Sequence, residues 1–338
     1  MAPRRRRATT ITDVATLAGV SIATASKALN GRGQVRPETL QRVLRAAEEL
    51  SYQPNALAQS LISGRTRTVG LLTGDSVGRF GIPVLLGAED AFGTGEMAVL
   101  LCDARGDAVR EQHHIRALSA RRVDGIIVVG ESTDPRASIS RDLPVPVVYA
   151  YAPSADPGDV SFVPDDVGGA RIAVQHLVAA GRRRIAHITG APHYRAAQDR
   201  AAGTLDSLAD AGLEVAGGEV LFGAWSQRWG RQAAEIVLAA EPGTDAAFCG
   251  SDQIAAGFVE AVRELGRRVP DDIAVVGYDN WEVLSAETRP PLTTVDMNLE
   301  VLGRTAAQYL FAAIGGRAAS GVHRMPCSLV VRGSTVRR

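Results

Sequence analysis

The spacing of apolar residues changes near residue 67 of the chain. Before that point, apolar residues recur at intervals of three and four positions, which predicts short amphipathic helices. Beyond it, short apolar runs such as TVGLLT, VDGIIVVG, IAHITG and IAVVGYD alternate with stretches long enough to form a helix. Apolar runs separated by helices are typical of parallel strands that are buried on both faces of a sheet. The pattern therefore predicts a small all-α segment followed by a larger α/β body.

Three helices are predicted in the all-α segment. The first begins at a capping threonine, Thr10 or Thr12, and ends at Gly19, which can take a left-handed conformation. The second is expected over residues 22–29, and the third begins at Pro37. Two helices joined by a tight turn that contains a glycine form a helix-turn-helix unit.

A helix-turn-helix unit places the start of its second helix in the major groove of DNA. Four side chains of that helix are predicted to face the groove: Ile22, Ala23, Ser26 and Lys27. Lysine can donate to guanine or to phosphate, and apolar side chains can contact thymine methyl groups. The alternative is a small three-helix bundle of another kind, in which Ser21 and Thr24 only cap the second helix.

Charge is distributed unevenly along the chain, although the formal net charge is zero. Residues 1–67 contain eleven Lys or Arg and four acidic residues, whereas the remainder contains 26 basic and 33 acidic residues. A basic front segment on an acidic body suits a protein whose N-terminal part binds a polyanion. The arginines at positions 4–7 could equally form a solvated tail, so charge alone does not decide between these two interpretations.

Residues in and after the predicted helix-turn-helix unit match one known family. The matching positions are Asp13-Val14-Ala15, Ala18-Gly19-Val20-Ser21, Thr24, Ser26, Leu29-Asn30-Gly31, Tyr52, Pro54-Asn55, Ala58 and Leu61. On these residues the segment resembles the LacI family of bacterial transcription regulators. The resemblance implies a sequence-specific regulator, usually a repressor, that binds a near-palindromic operator as a homodimer and senses a small molecule. Further DNA contacts are then expected at Thr10, Ser21, Thr24 and Asn30.

The same resemblance implies a hinge at residues 55–63 that becomes helical on the operator. Asn55 and Ala58 would contact DNA there, and Leu61 would insert an apolar wedge into the minor groove. The length of the hinge agrees with this role, because about nine residues are fewer than the roughly 12 to 15 that an isolated helix needs in water. The alternative is a linker helix whose Leu57 and Leu61 pack against the core.

The resemblance extends to the α/β body, which is similar to periplasmic sugar-binding proteins. It implies two lobes, each with a parallel sheet of about five or six strands, and a ligand between the lobes. The chain would divide into a helix-turn-helix domain at 1–54, a hinge and linker at 55–67, and an effector-binding and dimerisation domain at 68–338. Within the last, an N-lobe is expected at about 68–163 and 293–322, and a C-lobe at about 164–292 and 323–338.

Polar residues that follow the apolar runs are candidates for the effector site, because ligands of open α/β sheets bind beyond the carboxyl ends of the strands. Five candidates follow such runs: Asp75, Ser251, Asp252, Asp279 and Asn280. Their side chains can bond the vicinal hydroxyls of a sugar. Trp225 could cover the apolar face of the ring, and the planar fork of Arg200 could hold two oxygens.

The resemblance implies which of these residues contact the effector. It assigns contacts to Arg200, Trp225, Asp252 and Asp279, and more loosely to Asp75 and Phe80. Arg200 could instead pair only with Asp199 or Asp206. Both later aspartates could cap helices, and the tryptophan could belong to the core.

Two departures from the family pattern fall at the predicted effector site. After the first strand, many relatives have Asp-x-x-Asn-Pro-Phe-Phe, whereas this chain has DSVGRFGIP. Ser251 stands where an asparagine is common. The effector is expected to be a mono- or oligosaccharide, and its identity does not carry over from a relative.

Two other classes of protein share parts of the pattern. GDSVG matches the GxSxG motif of serine hydrolases, and His323 would complete the order of a catalytic triad. A nucleophile elbow requires a helix directly after the serine, but Gly78 and Gly81 are expected to delay the helix until about Pro83. A transporter-type sugar-binding protein requires export, and MAPRRRRATT leads into no apolar signal segment. A non-enzymatic, cytoplasmic protein is therefore expected.

No cofactor or metal is expected. Cys102, Cys249 and Cys327 are far apart and form no CxxC pair, so they are predicted to be reduced structural thiols. No P-loop or GxGxxG motif is present, and no apolar run is long enough to cross a bilayer. The predicted partners are double-stranded DNA, a small-molecule effector and a second copy of the chain, with no membrane.

Overall fold

The computed structural model describes residues 9–29, 35–52, 64–75, 78–93, 97–317 and 320–336. Its internal contacts divide the chain into two compact units, Met1–Thr66 and Arg67–Arg338. Several predictions fall outside the described residues: Asn30 and the hinge at 55–63, with Asn55, Ala58 and Leu61.

The N-terminal unit contains the three predicted helices, α1 (Ile11–Leu17), α2 (Ile22–Leu29) and α3 (Pro37–Glu49). Asp13 accepts hydrogen bonds from the backbone N–H and the hydroxyl of Thr10, at 2.8 and 2.7 Å, which fixes the start of α1. Gly19 has a φ of +62° in the turn to α2, a conformation that other residues adopt only with strain. The buried side chains between the helices are small: Val14, Ala15, Ala18, Ala25, Ala28, Val43 and Ala46.

The described part of the body contains twelve strands, eight α-helices and one short 3-10 helix, Ser140–Asp142. The strands are β1 (Thr68–Thr73), β2 (Ala98–Asp103), β3 (Gly125–Val129), β4 (Val147–Ala150), β5 (Val160–Pro164), β6 (Ile185–Thr189), β7 (Leu221–Phe222), β8 (Ala246–Cys249), β9 (Ala274–Tyr278), β10 (Thr293–Asp296), β11 (Gly321–Met325) and β12 (Ser328–Val330). The helices are α4 (Gly81–Phe92), α5 (Ala108–Ala120), α6 (Asp166–Ala179), α7 (Arg195–Asp210), α8 (Gln227–Ala240), α9 (Asp252–Glu264), α10 (Glu282–Ser285) and α11 (Leu299–Ile314). Of the helices in the described ranges, none is both long and apolar enough to cross a membrane.

The strands form two six-stranded sheets, one in each lobe. The order is β11-β5-β4-β3-β1-β2 in the N-lobe and β12-β10-β9-β8-β6-β7 in the C-lobe. Every residue of β3, β6, β8 and β9 is buried, because helices cover both faces of these central strands. The predicted α/β fold with two sheets is confirmed. It departs from the expectation at one edge, where β12 pairs antiparallel with β10.

Three crossings connect the lobes. The chain passes between the sheets at 164–166, at 296–299 and at 325–328. The expected lobe boundaries at 293 and 322 therefore fall too early. The first falls early because β10 pairs with β9 in the C-lobe sheet, and the second because β11 pairs with β5 as far as Met325.

Hydrogen bonds hold the three crossings side by side. The Asp165 N–H donates to the Met325 carbonyl at 2.8 Å, which joins the first crossing to the third. The Asn298 side-chain amide donates to the Pro326 carbonyl at 2.9 Å, which joins the second to the third. Because the crossings are bonded to one another, they can act as one hinge region for the two lobes.

Glycines allow three pairs of helices to touch backbone to backbone. A Cβ atom at Gly303 of α11 would lie 2.2 Å from the Val84 carbonyl oxygen of α4. In the C-lobe, a Cβ at Gly257 of α9 would lie 1.9 Å from a carbonyl oxygen of α8, and one at Gly203 of α7 would lie 2.3 Å from a carbonyl oxygen of α6. At these separations a single methyl group would force the helices apart.

Substitution Gly303→Ala tests this packing. A Gly-to-Ala change inside a helix ordinarily stabilises it by up to about 1 kcal/mol. Here overpacking should dominate and lower the free energy of unfolding by about 1 to 3 kcal/mol, measured by urea denaturation. Gln308→Ala, on the exposed face of the same helix, should change stability by less than about 0.5 kcal/mol. A stabilised Gly303→Ala variant would contradict the close contact.

Candidate functional site

The start of α2 presents an exposed face in the N-terminal unit. Ile22 and Ala23 are exposed, as is Lys27 one turn later. The Ile22 residue is 50% exposed although its side chain is large and apolar. The opposite face of α2 packs Ala25 and Ala28 into the core. This arrangement suits a recognition helix whose apolar and cationic side chains contact base edges and phosphate.

Other predicted DNA contacts have local partners. The Thr24 backbone N–H donates to Oγ of Ser21 at 3.1 Å, and the two hydroxyl oxygens are 2.9 Å apart. The Thr10 hydroxyl donates to Asp13. Capping by Ser21, which was the alternative, is therefore present, and it positions the exposed start of α2. Ser26 is half-buried on the same helix. Contact of these residues with DNA stays a prediction.

A cavity of about 170 Å³ lies in the cleft between the lobes of the body. Five predicted effector residues line it: Phe80, Arg200, Trp225, Ser251 and Asp279. Residues that line it without having been predicted include Arg79, Thr133, Tyr151 and Tyr194. Because side chains of both lobes form the walls, a ligand in the cavity would contact both.

Aromatic side chains from each lobe form walls of this cavity. In the N-lobe, the rings of Phe80 and Tyr151 are stacked with their centroids 4.4 Å apart. In the C-lobe, Trp225 lies so close to Gly190 that a Cβ there would be 2.0 Å from the indole atom Cε2. The indole centroid is 6.0 Å from that of Tyr194. Trp225 packs on the C-lobe core and also lines the cavity. It therefore lies at the predicted site and, at the same time, belongs to the core, which was the alternative.

Arg200 is buried at one side of the cavity, with 2% of its surface exposed. Its Nε and Nη2 donate to one oxygen of Asp166 at 2.9 and 2.8 Å, and Nη1 donates to the Gly250 carbonyl at 2.6 Å. The guanidinium carbon lies 3.6 Å from the centroid of the Tyr278 ring. Most of the guanidinium donors that were expected to bind a ligand therefore bind groups of the protein.

The ion pairs that were the alternative for Arg200 do not form. Asp199 pairs with Arg195 at 2.8 Å, and Asp206 lies 3.8 Å from Arg171 of the neighbouring helix α6. These aspartates lie towards the solvent side of α7, whereas Arg200 is directed into the protein. Spacing along the helix suggested the wrong partner because the true one, Asp166, begins a different helix.

Asp279 and Arg79 form an ion pair that joins the two lobes. Asp279 follows β9 with a φ of +107°, and its carboxylate accepts from Nη2 of Arg79, while Nη1 of Arg200 lies 3.8 Å away. Arg79 also donates to Oε1 of Gln253 at 3.3 Å, and its guanidinium lies 4.8 Å from the Trp281 ring centroid. Burial raises the pKa of Asp279, and the two arginines oppose that rise. The signal for Arg79 was available, because it lies in the segment that departs from the family pattern.

Asp252 is not among the residues that line the cavity; it is buried in the interior and supports residues of the site. It is fully buried and accepts from the Thr294 hydroxyl at 2.6 Å and from the Trp281 backbone N–H at 2.7 Å. Burial, and secondly the neighbouring Asp279, raise its pKa to about 8. The alternative for Asp252 was a helix cap. Ser251 forms that cap instead, because its Oγ accepts from a backbone N–H of α9 at 3.2 Å.

Asp75 fixes the start of α4. Its carboxylate accepts from the backbone N–H groups of Phe80 and Gly81 at 2.6 and 3.0 Å, so the helix begins at Gly81 rather than at Pro83. Asp75 is not among the residues that line the cavity. Its role is to position Phe80, which does line it.

Of the residues that suggested other function classes, His323 is not among those that line this cavity. Ser76 and Val77 of GDSVG lie outside the described residues, and His323 stacks on Phe162 with the ring centroids 5.1 Å apart. All three cysteines are free thiols. Within the described ranges, no group of three or more His, Cys, Asp or Glu side chains is arranged to hold a metal ion.

Two families match the chain. Residues 10–55 match the family of bacterial regulatory proteins, lacI family, and residues 174–335 match the periplasmic binding protein-like domain. The chain is 35% identical over 320 residues to the HTH-type transcriptional regulator CelR of Thermobifida fusca, covering 92% of this chain and 94% of that protein. It is 34% identical over 333 residues to the HTH-type transcriptional repressor PurR of Vibrio campbellii (strain ATCC BAA-1116), covering 97% and 99%.

Solved structures resemble the chain over almost its whole length. A transcriptional regulator CelR-cellobiose complex has a TM-score of 0.65 and 31% identity, covering 96% of this chain and 99% of that chain. The lac repressor dimer bound to operator and the anti-inducer ONPF has a TM-score of 0.75 and 29% identity, covering 98% and 100%.

Substitution Ile22→Ala tests the exposed start of α2. It should weaken binding by about tenfold to a DNA fragment that the wild-type chain selects from a random pool, because one apolar base contact is lost. Leu44→Ala, which is 49% exposed on α3, should change the affinity less than about twofold. If a gel-shift titration shows that Ile22→Ala binds the fragment as tightly as Leu44→Ala does, Ile22 does not contribute to DNA binding.

Substitution Asp252→Asn tests the protonation of the buried carboxyl. The folded chain keeps the Asp252 proton up to about pH 8, whereas the unfolded chain loses it near pH 4. Since the folded state binds the Asp252 proton more tightly in this window, the contribution of Asp252 to stability should fall as the pH rises from 5 to 8. The variant lacks this dependence, so its free energy of unfolding relative to wild type should rise by about 3 to 4 kcal/mol over that range.

The matched control is Asp272→Asn. Hydrogen bonds from Arg268 lower the Asp272 pKa to about 2, so this carboxyl titrates below the range measured. Its stability difference from wild type should stay constant from pH 5 to 8. If Asp252→Asn also gives a constant difference, the buried carboxyl is ionised in the folded chain.

Proposed function

The chain belongs to the LacI family of bacterial regulatory proteins, and we propose on that premise that it is a cytoplasmic repressor controlled by a small uncharged sugar. At the level of class, it is a DNA-binding transcription regulator whose activity an effector controls, and not a transporter. The proposed repressor binds a near-palindromic operator as a homodimer. The sugar binds in the cavity between the two lobes.

The observation that carries the sugar assignment is the lining of the cavity. Trp225 and the stacked pair Phe80 and Tyr151 offer aromatic faces in opposite lobes. Hydroxyl groups of Thr133 and Ser251 lie at the same cavity, and the Thr133 Oγ1 is buried without a hydrogen-bond partner among the described residues. Apolar faces combined with a few convergent polar groups are what a sugar ring requires.

The charges at the cavity favour a neutral ligand. Arg79 is paired with Asp279, and Arg200 with Asp166. Asp252 is not among the residues that line the cavity, and burial raises its pKa, which disfavours a negative charge there. A charged effector would leave an uncompensated charge in a buried site, which is unfavourable. Glu131 is exposed at the edge, where solvent screens its charge.

The relatives support the repressor and the sugar. CelR is in complex with cellobiose, the lac repressor dimer is bound to its operator, and PurR is named a repressor. All of these are regulators, which favours a binding protein over a serine hydrolase.

Control of DNA binding follows from coupled equilibria. A sugar held by both lobes changes the stability of one lobe arrangement relative to others. If the operator favours a different arrangement, the sugar weakens operator binding, and the operator weakens sugar binding by the same factor. That factor is typically about 5- to 150-fold, for about 1 to 3 kcal/mol of coupling.

Footprinting tests the proposal. The purified full chain would be mixed with DNA upstream of its own gene at low salt, with and without a panel of mono- and disaccharides. The expected result is a protected near-palindrome whose protection changes with one sugar. Trp225→Ala should keep the protection and lose the response to that sugar, because an aromatic wall is missing.

The matched control is Phe222→Ala, an aromatic residue of β7 that is 37% exposed and not among the residues lining the cavity. It should keep both protection and response. Absence of any protected site at low salt, where phosphate contacts are strongest, would overturn operator binding. Protection that no sugar alters would overturn control by a sugar.

A further inference from the structure

A second cavity, of about 470 Å³, adjoins the first in the cleft. We call the smaller one the aromatic chamber, for Phe80, Tyr151 and Trp225, and the larger one the acidic chamber, for Glu282, Asp296 and Glu300. The two chambers share three lining residues: Arg79, Phe80 and Asp279. The Arg79–Asp279 ion pair therefore lies in the wall between the chambers.

Contacts on several sides hold this wall in place. The side chains of Arg79 and Asp279 are 14% and 4% exposed, so the ion pair is screened little by solvent. Gln253 accepts from Nη1 of Arg79 at 3.3 Å, and the rings of Trp281 and Phe80 lie 4.8 and 5.1 Å from its guanidinium carbon. Arg79 belongs to the N-lobe, whereas Asp279, Gln253 and Trp281 belong to the C-lobe. The wall consequently spans the cleft from one lobe to the other.

Arg79 has one donor without a partner among the described residues. That donor is its buried Nε. A buried donor without a partner is unfavourable, and a ligand hydroxyl placed at it would remove that penalty. Arg79 thus combines a closing function, through its ion pair, with a free hydrogen-bonding atom at the same position.

The volumes of the two chambers indicate which length of ligand the wall would admit. The aromatic chamber alone is smaller than the range of about 300 to 1,000 Å³ that is common for larger organic ligands, whereas the two chambers together would fall within it. A ligand held in the aromatic chamber and longer than one ring would have to cross the plane of the Arg79–Asp279 pair. The wall therefore separates single-ring ligands from longer ones.

We propose that Arg79 sets the length of the effector: with Asp279 it closes the aromatic chamber around a single sugar ring and excludes oligosaccharides. This inference rests on the proposed function, in which the effector is a sugar. A longer sugar binds only when the Arg79 side chain leaves the wall, which breaks a buried ion pair and opens the aromatic chamber into the acidic one.

Two substitutions separate the volume of Arg79 from its charge. Arg79→Ala removes both, so the chambers should merge. Arg79→Met removes the charge but keeps a long side chain, so the wall should stay. Asp279 retains Arg200 at 3.8 Å in either variant, which leaves its carboxylate a partner. Arg141→Ala is the control, because Arg141 is 82% exposed and pairs with Asp156 within the N-lobe.

Calorimetric titration of the full chain measures the effect with matched probes: D-glucose with cellobiose, D-galactose with lactose, and D-xylose with xylobiose. For the sugar that binds, the wild type, Arg79→Met and Arg141→Ala should bind the disaccharide at least about 100-fold more weakly than the monosaccharide, equivalent to two steps of 1.4 kcal/mol. In Arg79→Ala the difference should fall below about tenfold. A wild type that binds both sizes equally, or an unchanged preference in Arg79→Ala, overturns the proposal.

A second readout needs no sugar. Hydroxyl-radical labelling of Trp281, located by mass spectrometry, should increase in Arg79→Ala because the guanidinium no longer covers the ring, and it should stay at the wild-type level in Arg141→Ala. If no sugar binds any variant, the sugar effector is wrong, and the labelling alone decides the wall. Equal labelling of Trp281 in wild type and Arg79→Ala shows that Arg79 does not form the wall and overturns its role.

Discussion

The cleft depends on the burial of one guanidinium, that of Arg200. A buried charge must be paired, and this one binds Asp166 at the first crossing and the Gly250 carbonyl beyond β8, while it lies over the ring of Tyr278 at the end of β9. These groups belong to different elements of the fold. Moving any of them away from Arg200 would leave a charge or a carbonyl without a partner in the interior. The carboxyl ends of the C-lobe strands are therefore held in one arrangement relative to the first crossing.

The second buried cation, Arg79, differs from Arg200 in what it connects. Arg200 and its partners lie in the C-lobe and at the crossing that enters it, so opening of the lobes leaves them together. Arg79 reaches from the N-lobe to Asp279, so opening of the lobes breaks its ion pair. Asp279 then still has Arg200 at 3.8 Å. Because one aspartate serves both cations, the cleft can open without leaving a carboxylate entirely unpaired in a low-dielectric environment.

The fold was predictable from the sequence because its signals are local. Continuous apolar runs such as GIIVV in β3 and AVVGY in β9 mark strands covered on both faces, and Thr10, Gly19 and Pro37 delimit the helices of the N-terminal unit. The lobe boundary near 293 was misplaced, since no local feature shows which sheet β10 joins.

The candidate site was predictable only in part. Phe80, Trp225 and Asp279 follow strands, so their position at the cleft follows from the topology of α/β sheets. Asp252 also begins a helix after a strand, yet it faces inward, because Ser251 takes the capping position and Thr294 and Trp281 donate to the carboxyl oxygens of Asp252. The segment that contains Arg79 was noticed because it departs from the family pattern, but the ion pair of Arg79 was missed because its partner is 200 positions away along the chain and in the other lobe. Contacts of that separation exist only once the fold has formed.

Interactions of Arg79 and of Asp134 join the lobes, and this bears on how an effector can act. Arg79 binds Asp279, and the Asp134 carboxylate accepts from the Arg195 N–H, at the start of α7, at 2.8 Å. The joined arrangement therefore has a stability of its own, and a ligand shifts the lobes only by the difference between its affinities for the joined and separated arrangements. A ligand that fits within the aromatic chamber adds its contacts to the joined arrangement. A ligand that must displace Arg79 removes the ion pair from the joined arrangement and so gains less from the joining of the lobes than a ligand that leaves Arg79 in place.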